Sequence, residues 1–164
     1  MDPRFAESWQ GSASVSLLRT AYHMLRFTAS GQDQVKLFLQ TVRLESGDIV
    51  PAVDVERNDP ATQEERVVIL ADYIRTVEDA LSRKMLIYVS PNFWKCQMGN
   101  SNQFASNPLW IADYGVERPA IPSPWNAWAF WQYTDLRKVS GITGVVDGDR
   151  FAGDMIELNC CRLP

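Results

Sequence analysis

Two acids two residues apart, Asp54 and Glu56 in the run Ala52-Val53-Asp54-Val55-Glu56, have the types and spacing that most directly suggest chemistry. Side chains two apart in a strand point to the same face, with Cα atoms roughly 6.5 to 7 Å apart. Val53 and Val55 then point the other way, toward packing helices. The turn residues Arg57-Asn58-Asp59-Pro60 follow, so the acids stand at the C-terminal end of the strand, where α/β folds place active sites. Two acids on an otherwise apolar inner face are costly unless solvated or paired, and their repulsion raises the proton affinity of one of them. A carboxylic acid held protonated near neutral pH can act as a general acid. Glycoside hydrolysis needs such a pair, one acid to protonate the leaving oxygen and one to stabilise positive charge at the anomeric carbon. The same spacing also suits a loop cap, a surface ion-pair network or, with a third acid, a divalent-metal site. The pair alone does not choose among these.

The elements that must position the acids follow from periodicity. Phe5 to about Leu18 reads as a helix leading into a strand, Arg19 to Leu25. Ser30 caps a second helix, with Asp33 three residues on and Val35, Phe38, Leu39 and Val42 on its apolar face. Ile49 to Glu56 reads as a buried strand. Thr62 with Glu65 is a capping-box pattern that opens a long helix, whose core face is Val67, Ala71, Ile74, Val77 and Leu81. That helix is expected to end near Arg83 and Lys84, where basic residues suit its negative end. Met85–Ser90, Leu109–Tyr114, Ala127–Tyr133 and a short Gly144–Asp147 complete about six strands, with loops rich in Asn, Pro and Ser between the later ones. Strands spaced by helices imply an α/β layout with mostly parallel pairing. Residues 1–154 read as one domain and residues 155–164 as a tail.

Composition narrows the function. The net charge of −4, with no run of Lys and Arg, argues against a nucleic-acid partner. No apolar stretch approaches the length of a membrane span. The three cysteines, Cys96, Cys160 and Cys161, form no CxxC pair, and His23 is the only histidine, so neither a zinc site nor a disulfide framework is supported. No metal or other cofactor is expected.

The ordered set Asp2-Pro3-Arg4-Phe5, Ala21-Tyr22-His23, Pro51 to Glu56, Leu86 to Ser90, Leu109 to Tyr114, Trp128 to Tyr133, and Gly141-Ile142 through Val146-Asp147 resembles glycoside hydrolase family 25 over roughly residues 2–153. The resemblance implies an incomplete TIM-like β/α barrel with about six of the eight strands. It implies an N-acetylmuramidase that cuts the β-1,4 bond between N-acetylmuramic acid and N-acetylglucosamine in bacterial peptidoglycan glycan strands. Glu56 would be the general acid. Asp54 would orient and charge-stabilise the 2-acetamido group if the mechanism is substrate-assisted with retention, direct attack by a carboxylate or by water being the alternative. Tyr22, Tyr88, Trp110, Tyr114, Gln132 and Asp147 would contact substrate. Alternation puts Trp110, Ala112 and Tyr114 on one face, and Trp128, Phe130 and Gln132 on another. For the aromatics a core role competes with sugar stacking. His23 is read as a hydrogen-bonded structural residue, and Trp9, Trp94 and Trp125 as packing or rim residues.

The family domain opens with an Asp-Val-Ser strand and then a Lys-Ala-Thr-Glu-Gly-like strand, and this sequence shows neither. The expectation is either a fragment or a shortened protein whose exposed strand edges a partner chain covers. Competing readings are a non-catalytic cell-wall or carbohydrate-binding module and an inactive fragment. A metal-dependent phosphoesterase ranks last, because aromatic-rich strands suit sugars better than phosphates. By resemblance the location is extracellular or at the cell wall, or cytoplasmic until lysis for a phage protein. Composition sets neither location nor oligomeric state.

Overall fold

The computed structural model describes residues 2–164. Helix α1 (Phe5–Ser14) precedes β1 (Tyr22–Met24), α2 (Gly31–Thr41), β2 (Ala52–Asp54), α3 (Gln63–Leu81), β3 (Leu86–Val89), α4 (Pro91–Gln97), β4 (Leu109–Ala112), β5 (Phe130–Arg137), β6 (Val146–Phe151) and α5 (Met155–Cys160). The six strands pair in sequence order, β1-β2-β3-β4-β5-β6. The first four pairings are parallel and β5–β6 is antiparallel. The curled sheet forms a half-barrel, open between β1 and β6.

Local chemistry sets the helix ends. The Ser30 side chain accepts from the Asp33 amide at the start of α2, and Thr62 and Glu65 close a full capping box on α3. Helix α3 stops at Leu81, where Ser82 turns left-handed at φ 52°. Arg83 and Lys84 therefore lie beyond it, and Lys84 pairs with Glu78 at 2.7 Å. The buried stripe of α3 is Leu70, Tyr73, Ile74 and Val77, with Val67, Ala71 and Leu81 only partly buried at its margins. Where α2 meets α3, a Cβ on Gly31 would lie 2.6 Å from the Ile69 carbonyl oxygen, so only glycine lets these backbones approach.

The core lies between the sheet and its helices. Val53 and Val55, both 0% exposed, pack with Leu25, Leu70, Tyr73, Ile87 and Ile111. A second cluster, Ile49, Val50, Ala52 and Leu86, fills the floor of the half-barrel.

Several elements depart from the sequence reading. Helix α4 stands where loop was expected: Ser90 caps it, Pro91 fills its first turn, and fully buried Trp94 anchors it. The last strand runs to Phe151 rather than ending at Asp147, and it is antiparallel. Residues 155–164 are not a loose tail. Asp154 and Glu157 form a capping box on α5, and Leu158, Cys161 and Leu163 pack on the floor cluster. The backbone docks as well, through Val50 N to Cys161 O at 2.8 Å and Leu163 N to Asp48 O at 2.8 Å. Ending the chain after Asp154 is expected to lower the unfolding free energy by about 3 kcal/mol or more. Urea unfolding measures this, and an unchanged midpoint would mean that the docking contributes no stability.

Candidate active site

The register stacks the inward side chains of the half-barrel in layers. Tyr22, Ala52 and Leu86 are level on β1, β2 and β3. Above them, one level carries Met24, Asp54, Tyr88, Trp110, Phe130 and Phe151 across all six strands. The next carries Ala112, Gln132 and Asp149 on β4, β5 and β6. Glu56, two residues beyond Asp54, is exposed at the rim, whereas Asp54 is 4% exposed.

Two features hold the rim beside Glu56. The buried Arg66 guanidinium donates to the carbonyls of Arg57 (3.0 Å) and Asp59. Asp59 in turn accepts from Arg26 at 2.8 Å and from the Phe27 amide at 3.0 Å, which ties this loop to the end of β1. The sequence reading treated residues 57–60 only as a turn; a lone Arg on the inner side of an amphipathic helix was the available signal.

Burial, reinforced by the charge of Glu56 and opposed by Arg57, raises the proton affinity of Asp54 to a pKa of about 7. Its Oδ1 is buried and has no hydrogen-bond partner among the described residues. The mutual repulsion read from sequence therefore acts on the buried acid of the pair.

Of the six expected substrate contacts, three form one cluster. The Tyr88 and Tyr114 hydroxyls both donate to Gln132 Oε1, the first at 2.7 Å. The Gln132 side-chain nitrogen has no hydrogen-bond acceptor among the described residues. Burial keeps both phenols protonated, and the nearby acids reinforce this. Trp110 is a half-buried floor residue. Its ring meets Tyr88 edge-on at 5.5 Å and Phe130 at 5.8 Å, and its Nε1 donates to Asp149 Oδ1 at 2.7 Å. Tyr22 lies on the open edge, 62% exposed. Asp147 is exposed on β6, and its charge reaches Tyr22 and Tyr114.

Trp128 does not share the inward face with Phe130 and Gln132. It precedes β5 and packs outside, 6.0 Å from Trp131. His23 faces the helices, stacked on Tyr73 at 5.2 Å and 3.1 Å from Gln34 Oε1. Trp94 and Trp125 are core residues, while Trp9 stacks on Phe5 and lies under the Arg19 guanidinium. Asp149 was missed, although Asp147-x-Asp149 repeats the two-residue spacing that singled out the first pair. Among the described residues no group of three or more His, Cys, Asp or Glu is placed to hold a metal ion, and no helix is long and apolar enough to cross a membrane.

A pocket of about 390 Å³ opens beside Glu56, lined by Tyr88, Ser90, Asn92, Asp113 and Tyr114. The pocket thus joins the exposed acid to the hydrogen-bonded phenols, and the neighbouring inner face of the half-barrel carries the buried acid and the aromatic floor. The family model for glycosyl hydrolases family 25 matches residues 1–142. The chain belongs to this family.

Among solved structures, the lysozyme of Streptomyces coelicolor superposes with TM-score 0.92 at 26% identity, covering 98% of this family 25 chain and 79% of that one. A family GH25 lysozyme from Aspergillus fumigatus gives 0.87 at 26% identity, covering 99% and 81%. Lysozyme M1 of Streptomyces globisporus is 31% identical over 169 residues, covering 96% of this chain and 57% of its own length. The uncharacterised YegX of Escherichia coli K12 is 35% identical over 158 residues with the same coverages. The chain therefore spans little more than half the length of these two relatives.

The raised proton affinity of Asp54 makes stability depend on pH. Its contribution is fully present below the unfolded pKa near 4 and is lost as pH rises through about 7, a cost on the order of 4 kcal/mol above that. Asp54→Asn is therefore expected to melt at a higher temperature than the parent at pH 8 and at the same temperature near pH 4. An offset that did not vary with pH would show that Asp54 does not titrate in this range.

Proposed function

We propose that this site hydrolyses the β-1,4 bond between N-acetylmuramic acid and N-acetylglucosamine in bacterial peptidoglycan. The observation that carries the reading is the asymmetric acid pair, with Asp54 buried and Glu56 exposed at the mouth of a cleft built from tyrosines and a glutamine. It is supported by relatives in the family that are named lysozyme and N,O-diacetylmuramidase.

In this reading access rather than resting proton affinity sets the roles. Glu56, exposed at the rim where a glycosidic oxygen can reach it, gives its proton to that oxygen as the bond to the anomeric carbon breaks. Asp54, protonated at rest by its burial, ionises as the acetamido N–H comes to donate to it. The acetamido oxygen of the muramyl residue closes onto that carbon. Asp54 in its ionised form accepts from the acetamido N–H and offsets the positive charge that develops. Water then adds to the anomeric carbon on the face the leaving sugar vacated, returns a proton to Glu56 and leaves the configuration retained. Gln132 is fixed by Tyr88 and Tyr114, and its free amide nitrogen donates to a substrate carbonyl or hydroxyl. Trp110 and Phe130 give the floor an apolar surface for a sugar face.

A second reading, binding without cleavage, draws on the open side of the half-barrel beside Tyr22. One experiment separates the two. Purified peptidoglycan is incubated with the chain and with Glu56→Gln, and the products are reduced with borohydride and weighed by mass spectrometry. Fragments ending in reduced N-acetylmuramic acid are expected from the parent, with the rate lowered roughly 10²- to 10⁴-fold in the variant. A cooperatively folded chain that sediments with peptidoglycan and releases no fragments would support the binding module instead. An anomeric proton signal that appeared first as the α form would overturn retention.

A further inference from the structure

The acids stand at the C-terminal ends of the strands. At the opposite end, where β4 and β5 begin, a second groove of about 460 Å³ lies between segments 105–109 and 124–129. That size falls within the roughly 300 to 1,000 Å³ of small-molecule sites. None of its lining residues belongs to β1 or β6, so it stands away from the gap between them. Its two walls are tied together. Buried Trp125 donates from Nε1 to Asn107 O at 2.8 Å, and Ala129 N donates to Leu109 O at 2.8 Å. Asn107 is fixed in turn, donating from Nδ2 to Glu78 Oε1 at 2.6 Å and to Met85 O at 3.1 Å. The groove is therefore formed before a ligand arrives, which lowers the entropy cost of binding.

Its chemistry differs from that of the cleft. No acidic or basic residue lines it, in a chain whose residues are 22% charged. Ser106 and Asn126 are exposed on the rim, and half-buried Trp128 forms one wall. The other tryptophans have no indole N–H to offer. Trp9 donates to Arg43 O, Trp110 to Asp149, Trp125 to Asn107 O and Trp131 to Asp113 O, while the Trp94 N–H is sealed in the core. Trp128 Nε1 is neither buried nor hydrogen-bonded among the described residues. The neighbouring rings on this outer face, Trp131 and Tyr133, lie under the Arg150 guanidinium at 5.4 and 4.7 Å. Trp128 is thus the ring left for a ligand.

An indole flanked by uncharged hydroxyl and amide groups suits a pyranose. The C–H face of the sugar stacks on the ring, and its equatorial hydroxyls and acetamido group meet donors and acceptors at the rim. A nucleic acid would need cations along its path, and a charged peptide would need an opposite charge in the wall.

We propose that this groove is a second, non-catalytic sugar site that takes a β-1,4-linked N-acetylhexosamine unit of a glycan strand, stacked on Trp128 and hydrogen-bonded by Ser106, Asn126 and the Trp128 indole. The choice of a glycan over other neutral ligands draws on the muramidase reading, but the site uses none of the groups to which that reading gives chemistry. Leu109 borders this groove and Ala112, three residues on, borders the pocket beside Glu56, so one sugar cannot occupy both. A chain held at two points stays on the polymer between cuts, because the second contact raises the effective concentration of the first.

The test titrates the isotope-labelled whole chain with tetraacetylchitotetraose, the soluble β-1,4 tetramer of N-acetylglucosamine, and follows the indole N–H signals by NMR. Trp128 reports the groove and Trp110 the cleft. The Trp128 signal is expected to shift saturably, with a dissociation constant on the order of 1 mM or below. Asn126→Ala, on an exposed rim residue, keeps the reporting indole and is expected to weaken that binding roughly fivefold. Trp128→Ala is expected to lower the fraction of chain that sediments with purified peptidoglycan several-fold; where it fails to fold, Asn126→Ala decides. A Trp128 signal that stays still, moves equally with maltotetraose, or moves only with a proline-rich peptide would overturn the proposal. So would binding that neither variant weakens. A saturable Trp128 shift in a chain that releases no peptidoglycan fragments would sink the muramidase reading and leave the groove assigned.

Discussion

The two-residue period of β2 ties the hydrophobic core to the chemistry. Val53 and Val55 are fully buried against α3 and the neighbouring strands, and the same alternation turns Asp54 into the half-barrel. A slip of one residue would drive Asp54 into the core and the valines into the cleft. The strand therefore cannot relieve the cost of a buried carboxyl by shifting register. The remaining relief is to hold the proton more tightly, which is the direction in which Asp54 moves. The pairings of Asp54 with Met24 on one side and Tyr88 on the other carry this constraint across the sheet, so the position of the phenol that meets Gln132 depends on it.

Where β2 ends, the chain must turn sharply while keeping Glu56 at the rim. Arg66 does this without an acid partner. It is 2% exposed, its donors go to backbone carbonyls, and its cationic face lies 4.6 Å from the Phe27 ring. A buried guanidinium with its hydrogen bonds satisfied holds a loop firmly, because losing an acceptor leaves a charged N–H donor unsatisfied in the interior. The exposed pairs Arg4–Glu7 and Lys36–Asp33 do no comparable work, since solvent screens them. At the opposite end of the strand, Arg19 and Asp48, both nearly buried, pair at 2.7 Å under the floor, where the C-terminal segment docks.

What could be read in the sequence was whatever local chemistry decides. The caps of α2 and α3, the strand at Asp54 and the facing of the valines follow from neighbours within a few residues, and each matches the structure, though the strand is Ala52–Asp54 rather than the whole run Ile49 to Glu56. The inward placement of Tyr88, Trp110, Tyr114 and Gln132 follows from alternation once strand limits are known. What long-range packing decides was hidden. Trp128 belongs outside because β5 begins only at Phe130, a boundary set by pairing with β4. Leu158, Cys161 and Leu163 look like ordinary tail residues until the floor cluster is there to receive them. Helix α4 was legible in principle, as a Ser-Pro cap signal at Ser90 and Pro91, but the apolar run of β3 leading into it masked the start. The antiparallel direction of β6 depends on a hairpin whose register shifts twice along its length, and no local pattern encodes that.

The open side of the half-barrel governs the electrostatics of everything inside it. The inner face grades from an apolar floor, past the buried Asp54, to a mouth carrying the exposed Glu56, Asp147 and Asp149. Water enters beside Tyr22, and the effective dielectric there is high. Deeper in, burial raises the proton affinity of Tyr88 and Asp54. Any chain or substrate that covers the open side removes that water. Repulsion among the acids then strengthens, and so does their attraction for any positive charge in the gap. A hydrogen-bond donor or cation delivered with the cover would favour ionised Asp54, while a purely apolar cover would hold it neutral. The chemistry available to the acid pair is therefore set as much by what occupies the gap between β1 and β6 as by the acids themselves.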